Sequence, residues 1–555
     1  MVVPLLVVAC ALAPACSGDD GDGRDPRPDA GADQDAARLR TLGEPAVVVT
    51  GADHAELALA TSVALFESAP VAALAPSGDG EAMADARRRA RAEGIPLLLA
   101  PGRPAPDARG RDRGDRSPGG NGAGRRSSAG SEGDSPGDRH PGGDAARRTA
   151  MRSPARSAVD ARAIAAELDR LDTATVVTFG FPEEPAGLPA GVTAVDAASA
   201  DDVLARHTPA EAPDGVVALV DREDPLVNAA LTTVEAAGVP VVPVTDGDPR
   251  RDGRSRDRLA ELQPRQVVAV AGPGRFDAPE TLAGLVATAV AGTELPGGGQ
   301  VMFPGRRLVA LYGHPGTSAL GVLGEQPVGA AVERAASTAA PYDDLGDAPV
   351  IPTFEVIATI ASASAGSDGD YSSESAVEDL VPWVDAAAEA GMYVVLDLQP
   401  GRTDFLTQAK RYEELLRRPH VGLALDPEWR LAPGQRHLQQ IGSVSADEVN
   451  ATAEWLAGLV RDNELPQKLL VVHQFRLDMV RQRERIATPP ELAVLFQMDG
   501  DGTPGQKMET WRTITADPLP GSWYGWKNFY DEDEPMFSPA ETAAVRPVPH
   551  YISYQ

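Results

Sequence analysis

Short apolar runs alternate with amphipathic stretches along this chain, and in its second half most apolar runs end in polar or acidic residues. From residue 306 onward there are eight such runs, and helical patterns separate most of them. Short strands that alternate with helices are typical of parallel sheets, and a barrel of eight strand–helix units occupies about 250 residues. The pattern therefore predicts a C-terminal (β/α)8 TIM barrel over residues 301–555. The predicted strands are Leu308–Gly313, Thr353–Ala361, Tyr393–Gln399, Val421–Leu425, Leu469–Phe475, Leu492–Met498, Trp523–Phe529 and Tyr551–Gln555.

The first half of the chain shows the same alternation of β-branched or leucine-rich runs with helical stretches. It predicts an α/β region over residues 44–300, built from one or more doubly wound parallel-sheet domains. The predicted strands there are Ala46–Thr50, Val71–Ala75, Pro96–Ala100, Thr175–Phe179, Val216–Val220, Val239–Val244 and Gln266–Ala271.

The fourth run of the barrel ends in two carboxylates that are two residues apart, Asp426 and Glu428. Because strand side chains alternate between two faces, both acids are expected on the face of Gly422 and Ala424, and the leucines between them on the other face. In a parallel barrel, functional residues lie at the C-terminal ends of the strands. This strand therefore predicts small residues and acids inside the barrel, opening into an active site.

Glycoside hydrolysis requires a protonated acid beside the leaving oxygen and a second carboxylate near the anomeric carbon. We expect Glu428 to be the general acid, with its pKa raised by repulsion from Asp426 and by burial on the Trp429 side. The second carboxylate is predicted to be Asp499 or Asp397, while Glu355 is expected to be a buried structural acid. The predicted substrate-binding residues at the strand ends are Gln399, Trp429, His473, Gln474, Gln497, Trp526 and Lys527.

The Asp-x-Glu ending of the fourth run and the Gln497-Met498-Asp499 ending of the sixth resemble chitinase-type glycosidases. The resemblance implies a barrel hydrolase that acts on a glycan. The alternative is a degenerate hydrolase barrel that binds a glycan or a partner without cutting it. No metal or other cofactor is expected, because His314 and His473 lack the spacing of a metal site.

Composition narrows the possible partners. The formal net charge is −30, which disfavours nucleic acid and anionic membrane surfaces as partners. The acidic run Asp531–Glu534 is predicted to be a solvated loop. The two cysteines, Cys10 and Cys16, both lie at the N-terminus, so a disulfide framework is excluded.

Residues 1–16 form an apolar stretch too short to span a bilayer, followed directly by polar residues. The small residues before Cys16 and the acidic stretch after it resemble a bacterial lipoprotein signal, which implies lipidation of Cys16 and attachment to the outer face of a membrane. Cys10, which follows Val7-Val8-Ala9, is a second candidate for the lipidated residue. The alternative is an ordinary secretory signal. Residues 17–43 are rich in Asp, Gly, Pro and Ala and predict a disordered tether.

A weak internal repeat is present between residues 45 and 280. Gly94-Ile95-Pro96 corresponds to Gly238-Val239-Pro240, and each is followed by a helix, a strand and a glycine turn. These features resemble the type 2 cell-wall-binding repeats of Gram-positive surface proteins and imply contact with a cell-wall glycan. A generic doubly wound domain packed against the barrel is the alternative.

Residues 103–156 consist almost entirely of Arg, Gly, Asp, Pro, Ser and Ala, a composition that cannot bury a core and predicts disorder. The segment is either a basic arm toward anionic wall polymers or a stretch that is not natural coding sequence. The sequence predicts an exported, lipid-anchored envelope protein whose barrel binds a glycan, with hydrolysis of that glycan as the expected activity. The alternatives are a non-catalytic envelope-binding protein and a small-ligand receptor formed by the α/β region.

Overall fold

The computed structural model describes residues 36–101 and 159–555, which form a mixed α/β structure with two four-stranded parallel sheets and a closed parallel barrel. Cys10, Cys16 and the segment 103–156 lie outside the described residues, as does most of the predicted tether. The described end of that tether is structured, because Arg38–Leu39 pairs antiparallel with Phe66–Ser68.

The first half of the chain forms two parallel sheets that share a layer of helices. The strands are β1 Ala46–Thr50, β2 Val71–Pro76, β3 Leu97–Ala100, β4 Thr175–Thr178, β5 Thr193–Asp196, β6 Val216–Asp221, β7 Val241–Val244 and β8 Gln266–Ala271. The helices are α1 His54–Leu65, α2 Gly80–Glu93, α3 Ala161–Arg170, α4 Asp201–Leu204, α5 Val227–Ala236, α6 Gly253–Leu262 and α7 Pro279–Ala291. One sheet has the order β3-β2-β4-β5 and the other the order β1-β8-β6-β7. Helices α1 and α5 contribute alanines to the core of the first sheet and larger apolar side chains to that of the second. All seven predicted strands are present, and β5 is an additional strand.

The second half forms a closed barrel of eight parallel strands. The strands are β9 Arg307–Gly313, β10 Val350–Ala361, β11 Tyr393–Leu398, β12 Val421–Leu425, β13 Lys468–His473, β14 Leu492–Met498, β15 Trp523–Asn528 and β16 Tyr551–Tyr554. The barrel closes because β9 pairs with both β10 and β16. All eight predicted strands are confirmed, each to within three residues at either end.

Helices cover the outside of most of the barrel. They are α8 Val328–Ala339, α9 Val377–Glu389, α10 Phe405–Arg411, α11 Glu413–Leu416, α12 Ala446–Asp462, α13 Pro504–Thr515 and α14 Pro539–Ala544. Only short 3-10 turns and the two-residue strand Val480–Arg481 lie between β13 and β14. Among residues 36–101 and 159–555, no helix combines the length and apolar character needed to cross a bilayer.

The barrel interior is apolar at its N-terminal end. Phe303 enters this end and packs against Trp523 and His550, with ring centroids 5.5 and 5.3 Å away. Leu295 and Met302 are buried in the same cluster. The segment before the first barrel strand therefore contributes side chains to the barrel core.

Glycines make room where the interior is crowded. A Cβ at Gly422 would lie 2.7 Å from the backbone oxygen of Leu469 and 2.9 Å from the Tyr393 hydroxyl. A Cβ at Gly525 would lie 1.9 Å from Oε1 of Gln497. Real Cβ atoms do not approach this closely. Gly422 is therefore required against the Leu469 backbone, while a side chain at position 525 would force the Gln497 amide to move.

The two halves of the chain are joined by polar contacts at the N-terminal end of β14. Arg250 is 1% exposed, pairs with Asp248 and donates a hydrogen bond of 2.7 Å to the backbone oxygen of Pro490. Within the barrel half, Arg461 of α12 pairs with Glu491 of the same loop at 2.7 Å. The Arg250 contact fixes the loop that precedes β14 against the α/β region.

The acidic run Asp531–Glu534 is not entirely solvated, as the sequence predicted, because Asp533 is buried. Its Oδ2 accepts hydrogen bonds from Lys507 Nζ at 2.7 Å and from the backbone N–H of Phe529 at 2.9 Å. Lys507 is also fully buried and donates to the backbone oxygen of Lys527 at 2.6 Å. This ion pair anchors the loop after β15 to α13.

Replacing Lys507 by Met should lower the free energy of unfolding of the barrel by about 3–5 kcal/mol, because Asp533 would remain as an unpaired buried charge. Urea unfolding followed by tryptophan fluorescence measures this directly, since all six tryptophans lie in the barrel. Lys410→Met, at an exposed position on α10, is the matched control. A loss below about 1 kcal/mol, as for an exposed pair, would contradict the prediction.

Candidate active site

A layer of polar side chains fills the C-terminal half of the barrel interior, above the apolar layer. Each of the eight strands contributes one inward-facing polar side chain, on the strand itself or directly after it. They are Tyr312, Glu355, Asp397, Asp426, His473, Gln497, Lys527 and Ser553, and all are buried. This layer follows from the period of two along each strand, which places residues of the same parity inside the barrel.

His473 lies between two carboxylates at the centre of this layer. Its Nδ1 is 3.0 Å from Oδ2 of Asp499, and its Nε2 is 2.9 Å from Oε1 of Glu355. Both carboxylate oxygens accept hydrogen bonds, so both ring nitrogens act as donors and the imidazole is positively charged. Although burial alone lowers it, the pKa of His473 is raised well above its ordinary value by Glu355 and Asp499.

Asp397 lies below the mouth of the barrel and is fully buried. Its Oδ2 accepts a hydrogen bond of 3.0 Å from the Tyr312 hydroxyl, and its Oδ1 is 3.8 Å from Nε2 of His473. Burial raises the pKa of Asp397 to about 6, against the opposing effect of His473. Gln399 donates to the Tyr312 hydroxyl at 3.2 Å and accepts from the backbone N–H of Ala361 at 3.0 Å, which fixes its amide group.

Asp426 and Glu428 reach the mouth by a route different from the predicted one. Strand β12 ends at Leu425, and Pro427–Trp429 forms a 3-10 turn. Asp426 faces inward as predicted, and its Oδ1 accepts a hydrogen bond of 3.2 Å from the backbone N–H of Glu428. The turn, and not strand alternation, therefore places the Glu428 side chain at the mouth.

The pKa of Glu428 is raised to about 7, as the sequence predicted. The largest cause of the raised pKa is burial, and the second is repulsion from Asp499. The repulsion was predicted to come from Asp426 instead. Burial also raises the pKa of Asp426 well above its ordinary value, with Asp397, Asp499 and Glu428 contributing. With a pKa of about 7, Glu428 is partly protonated near neutral pH.

Asp499 is held by one oxygen only. Its Oδ2 is bound to His473, while its Oδ1 has no hydrogen-bond partner in the described part of the chain. Asp499 and Glu428 line the same cavity. The mouth of the barrel thus brings a carboxyl group with a pKa near 7 beside a carboxylate bound to a charged imidazole.

The cavity above the polar layer has a volume of about 450 Å³. Its lining combines carboxyl groups with apolar surfaces, among them the side chains of Trp429, Phe475 and Phe529. Trp429 packs against His437 with ring centroids 5.4 Å apart. Lys527 also lines the cavity, and its Nζ lies 3.6 Å from the centre of the Tyr312 ring.

Most predicted site residues meet at this mouth. Gln399, Asp426, Glu428, Trp429, Asp499 and Lys527 line the cavity, while Asp397, His473 and Gln497 form the polar layer below it. Gln497 donates a hydrogen bond of 2.9 Å to the Ser553 hydroxyl.

Two predicted binding residues are not placed at the mouth. Trp526 lies between the barrel and its helices, where its ring packs against Trp511 and Phe537. Gln474 is buried and bonded to Arg483 and to backbone oxygens of the following turn. Gln474 directly follows the inward-facing His473, and Trp526 directly precedes the inward-facing Lys527. Neighbouring residues of an extended chain point to opposite faces, so both side chains point away from the interior.

Three residues of the polar layer were missed or undervalued at the level of sequence, namely Tyr312, Glu355 and Ser553. Tyr312 lies in an apolar run and carries no polar neighbour in the sequence. Glu355 was expected to be a structural acid low in its strand, but it lies in the sixth position of β10 and binds His473. Every second residue of β9 and of β10 faces the barrel interior. Tyr312 and Glu355 both occupy such inward positions, and this alternation is the signal that could have identified them.

Among the described residues, one group of acids is spaced for a metal ion, namely Asp368, Asp370 and Glu374. It contains none of the predicted site carboxylates. The oxygens of Asp370 already accept hydrogen bonds from Thr403 and from the backbone N–H of Ser372.

Replacing His473 by Gln should lower the free energy of unfolding by about 3–5 kcal/mol at pH 6, because Glu355 and Asp499 would lose their buried cation. The folded pKa of His473 lies above its unfolded value of about 6.5. The contribution is therefore complete below that value and declines as the pH rises through the folded pKa. Urea unfolding between pH 6 and pH 9, followed by tryptophan fluorescence, measures both effects.

The matched control is His314→Gln, because Nε2 of His314 contacts only a neutral hydroxyl, that of Ser375 at 3.2 Å. An equal loss in the two variants, or a difference between wild type and His473→Gln that grows with pH, would contradict the assignment of a charged imidazole.

No family model matches this chain, and no curated protein is significantly similar to it.

Proposed function

We propose that the barrel binds a glycan and hydrolyses it, with Glu428 as the general acid and Asp499 as the second carboxylate. The observation that carries the proposal is the contrast between these two groups within one cavity. Glu428 has a pKa of about 7, while Asp499 is bound by a charged His473 and keeps one oxygen without a hydrogen bond among the described residues. Environments that separate the protonation states of two neighbouring acids are typical of acid–base catalysis.

The chemistry of glycoside hydrolysis fits this division of roles. Glu428 would transfer its proton to the glycosidic oxygen as the bond from that oxygen to the anomeric carbon breaks. Asp499 would stabilise the positive charge that develops on the sugar, either by attack or by accepting a proton from water. Asp397 is the less suitable second carboxylate, because it lies deeper and is bound to Tyr312.

The lining of the cavity supports a sugar as the ligand. Aromatic faces such as that of Trp429 pack against the CH groups of sugar rings, and carboxyl groups and the Lys527 ammonium bind hydroxyls. Several acids surround one Lys at the mouth, so an uncharged glycan is favoured over a polyanionic one.

The whole chain is proposed to act at the cell envelope. The N-terminal sequence supports export and lipidation of Cys16, and the repeat between residues 45 and 280 supports contact of the α/β region with the cell wall. The closed parallel barrel supports the finer expectation of a (β/α)8 hydrolase fold.

A second candidate is a barrel that recognises a glycan without cleaving it. It is favoured by the raised pKa values of Asp426 and Glu428, since protonated carboxyl groups can donate hydrogen bonds to sugar hydroxyls. The two functions differ in what the Glu428 side chain must do. Only hydrolysis requires it to release its proton.

Glu428→Gln should lower the release of reducing ends by about 10²–10⁴-fold, because the amide cannot supply a proton. The full chain is assayed on peptidoglycan, chitin oligomers and α-glucans. A nitrophenyl glycoside of the sugar identified in this way needs little protonation of its leaving group, so its cleavage should fall much less. Asp499→Asn should abolish the cleavage of both substrates.

Glu378→Gln, at an exposed position on α9, is the control for the substitution itself. Full activity of Glu428→Gln on a natural polymer would contradict its role as the acid. Binding that is retained by wild type and variant, with no release from any polymer, would favour recognition without cleavage.

The rate of hydrolysis should fall as the pH rises above about 7, because Glu428 must be protonated to act and its pKa is about 7. Asp501 also lines the cavity and raises this pKa by repulsion. Asp501→Asn should therefore shift the alkaline limb of kcat/KM toward lower pH. An unchanged limb in this variant would show that another group governs it.

A further inference from the structure

A second cavity adjoins the candidate active site on the other side of Glu428. Its volume is about 640 Å³, and it shares Glu428, Trp429 and Leu438 with the first cavity. The two cavities thus form one cleft, with the predicted general acid between its halves. This arrangement leaves room for a ligand on both sides of the bond that Glu428 would protonate.

The second cavity is lined mainly by polar groups that match a carbohydrate. Gln439, Gln440 and Ser443 contribute amide and hydroxyl groups. At its edge, the Arg476 guanidinium donates two hydrogen bonds, of 3.0 and 2.8 Å, to the two carboxylate oxygens of Asp478. Amides and paired ionic groups of this kind are suited to bidentate hydrogen bonds with neighbouring hydroxyls.

Leu438, at the junction of the two cavities, has the features of a ligand contact. Its side chain is 89% exposed, and its backbone has a φ of 61°, in the left-handed region that a leucine seldom adopts. Residues with a strained backbone conformation are common where a protein binds its ligand, and an exposed apolar side chain offers contact surface there. Ile441, in the same loop, and Leu477 are also exposed, and Ile441 lines the second cavity.

We propose that the second cavity is a further saccharide-binding site of the same cleft, so that the barrel takes an internal stretch of a polysaccharide. This inference rests on the proposed function. A protein that releases single units from chain ends needs sugar sites mainly on one side of the cleaved bond. A cleft that continues past Glu428 on both sides accommodates a chain that passes through.

The test compares ligands of increasing length. Glu428→Gln in the full chain serves as the non-hydrolysing background, and its affinity for chitin oligomers, or α-glucan oligomers, of two to six units is measured by calorimetry. Affinity should rise with length once the chain reaches the second cavity. Adding Arg476→Ala should reduce the affinity for the six-unit ligand about five- to tenfold, as expected for the loss of one or two hydrogen bonds.

Two further variants separate binding from folding. Arg417→Ala is the matched control, because Arg417 forms a similarly exposed pair with Glu413 on the outside of the barrel. Leu438→Gly relieves the left-handed backbone, so it should leave the unfolding midpoint unchanged or higher while weakening the six-unit ligand. Weaker binding together with an unimpaired fold would assign Leu438 to ligand contact.

The products of the wild-type protein give an independent readout. Internal cleavage shortens a polymer rapidly and yields oligomers of mixed length from the start. Hydrolysis that releases only end units, with an affinity that does not depend on length, would overturn this inference and leave the proposed hydrolysis intact. The absence of both binding and release on every polymer would overturn the two together.

Discussion

The charged imidazole of His473 is the interaction on which the candidate site depends. It places a positive charge at the centre of a barrel whose interior contains several buried carboxyl groups, and it contacts two of them, Glu355 and Asp499. Removing an ion from water is costly, and a buried acid without a partner becomes protonated. With His473 in place, Glu355 and Asp499 have a cationic partner at hydrogen-bond distance, while Asp426 and Glu428 have none among the described residues. The difference in environment between the two pairs of acids follows from this one side chain.

The architecture of the barrel makes this concentration of charge tolerable. The lower half of the interior is filled by apolar side chains, among them Phe303, and forms an apolar core separate from the polar layer. The polar groups are stacked above it, where each can reach a neighbour from an adjacent strand. Fold and chemistry thus occupy different layers of the same eight strands.

Much of the fold could be predicted from the sequence, because apolar runs and the helices between them determine it locally. The strand bounds followed from this pattern, and so did the inward position of Asp426. The sharing of two helices by two sheets in the first half could not be predicted, since it depends on contacts between distant elements. Glu428 was placed correctly for the wrong reason, because a turn that begins at Pro427 carries it to the mouth.

Two predicted binding residues, Gln474 and Trp526, do not lie at the mouth because side chains of a strand alternate between its two faces. His473 and Gln474 are adjacent, as are Trp526 and Lys527, so only one of each pair can face the interior. The lysine and the histidine do so, while Trp526 packs against the outer helices. Tyr312 was missed because an aromatic residue in an apolar run gives no sign of a polar role until its strand is closed against the others.

The aromatic packing at the lower end of the barrel has a consequence for the movement of protons. Phe303, Trp523 and His550 pack against one another at that end, whereas the cavity lined by Asp426, Glu428 and Asp499 lies at the mouth. A ligand that fills the mouth would therefore also slow the exchange of protons between these acids and solvent. While the ligand is bound, the acids and His473 would exchange protons mainly among themselves, so their total protonation would be set at the moment of binding.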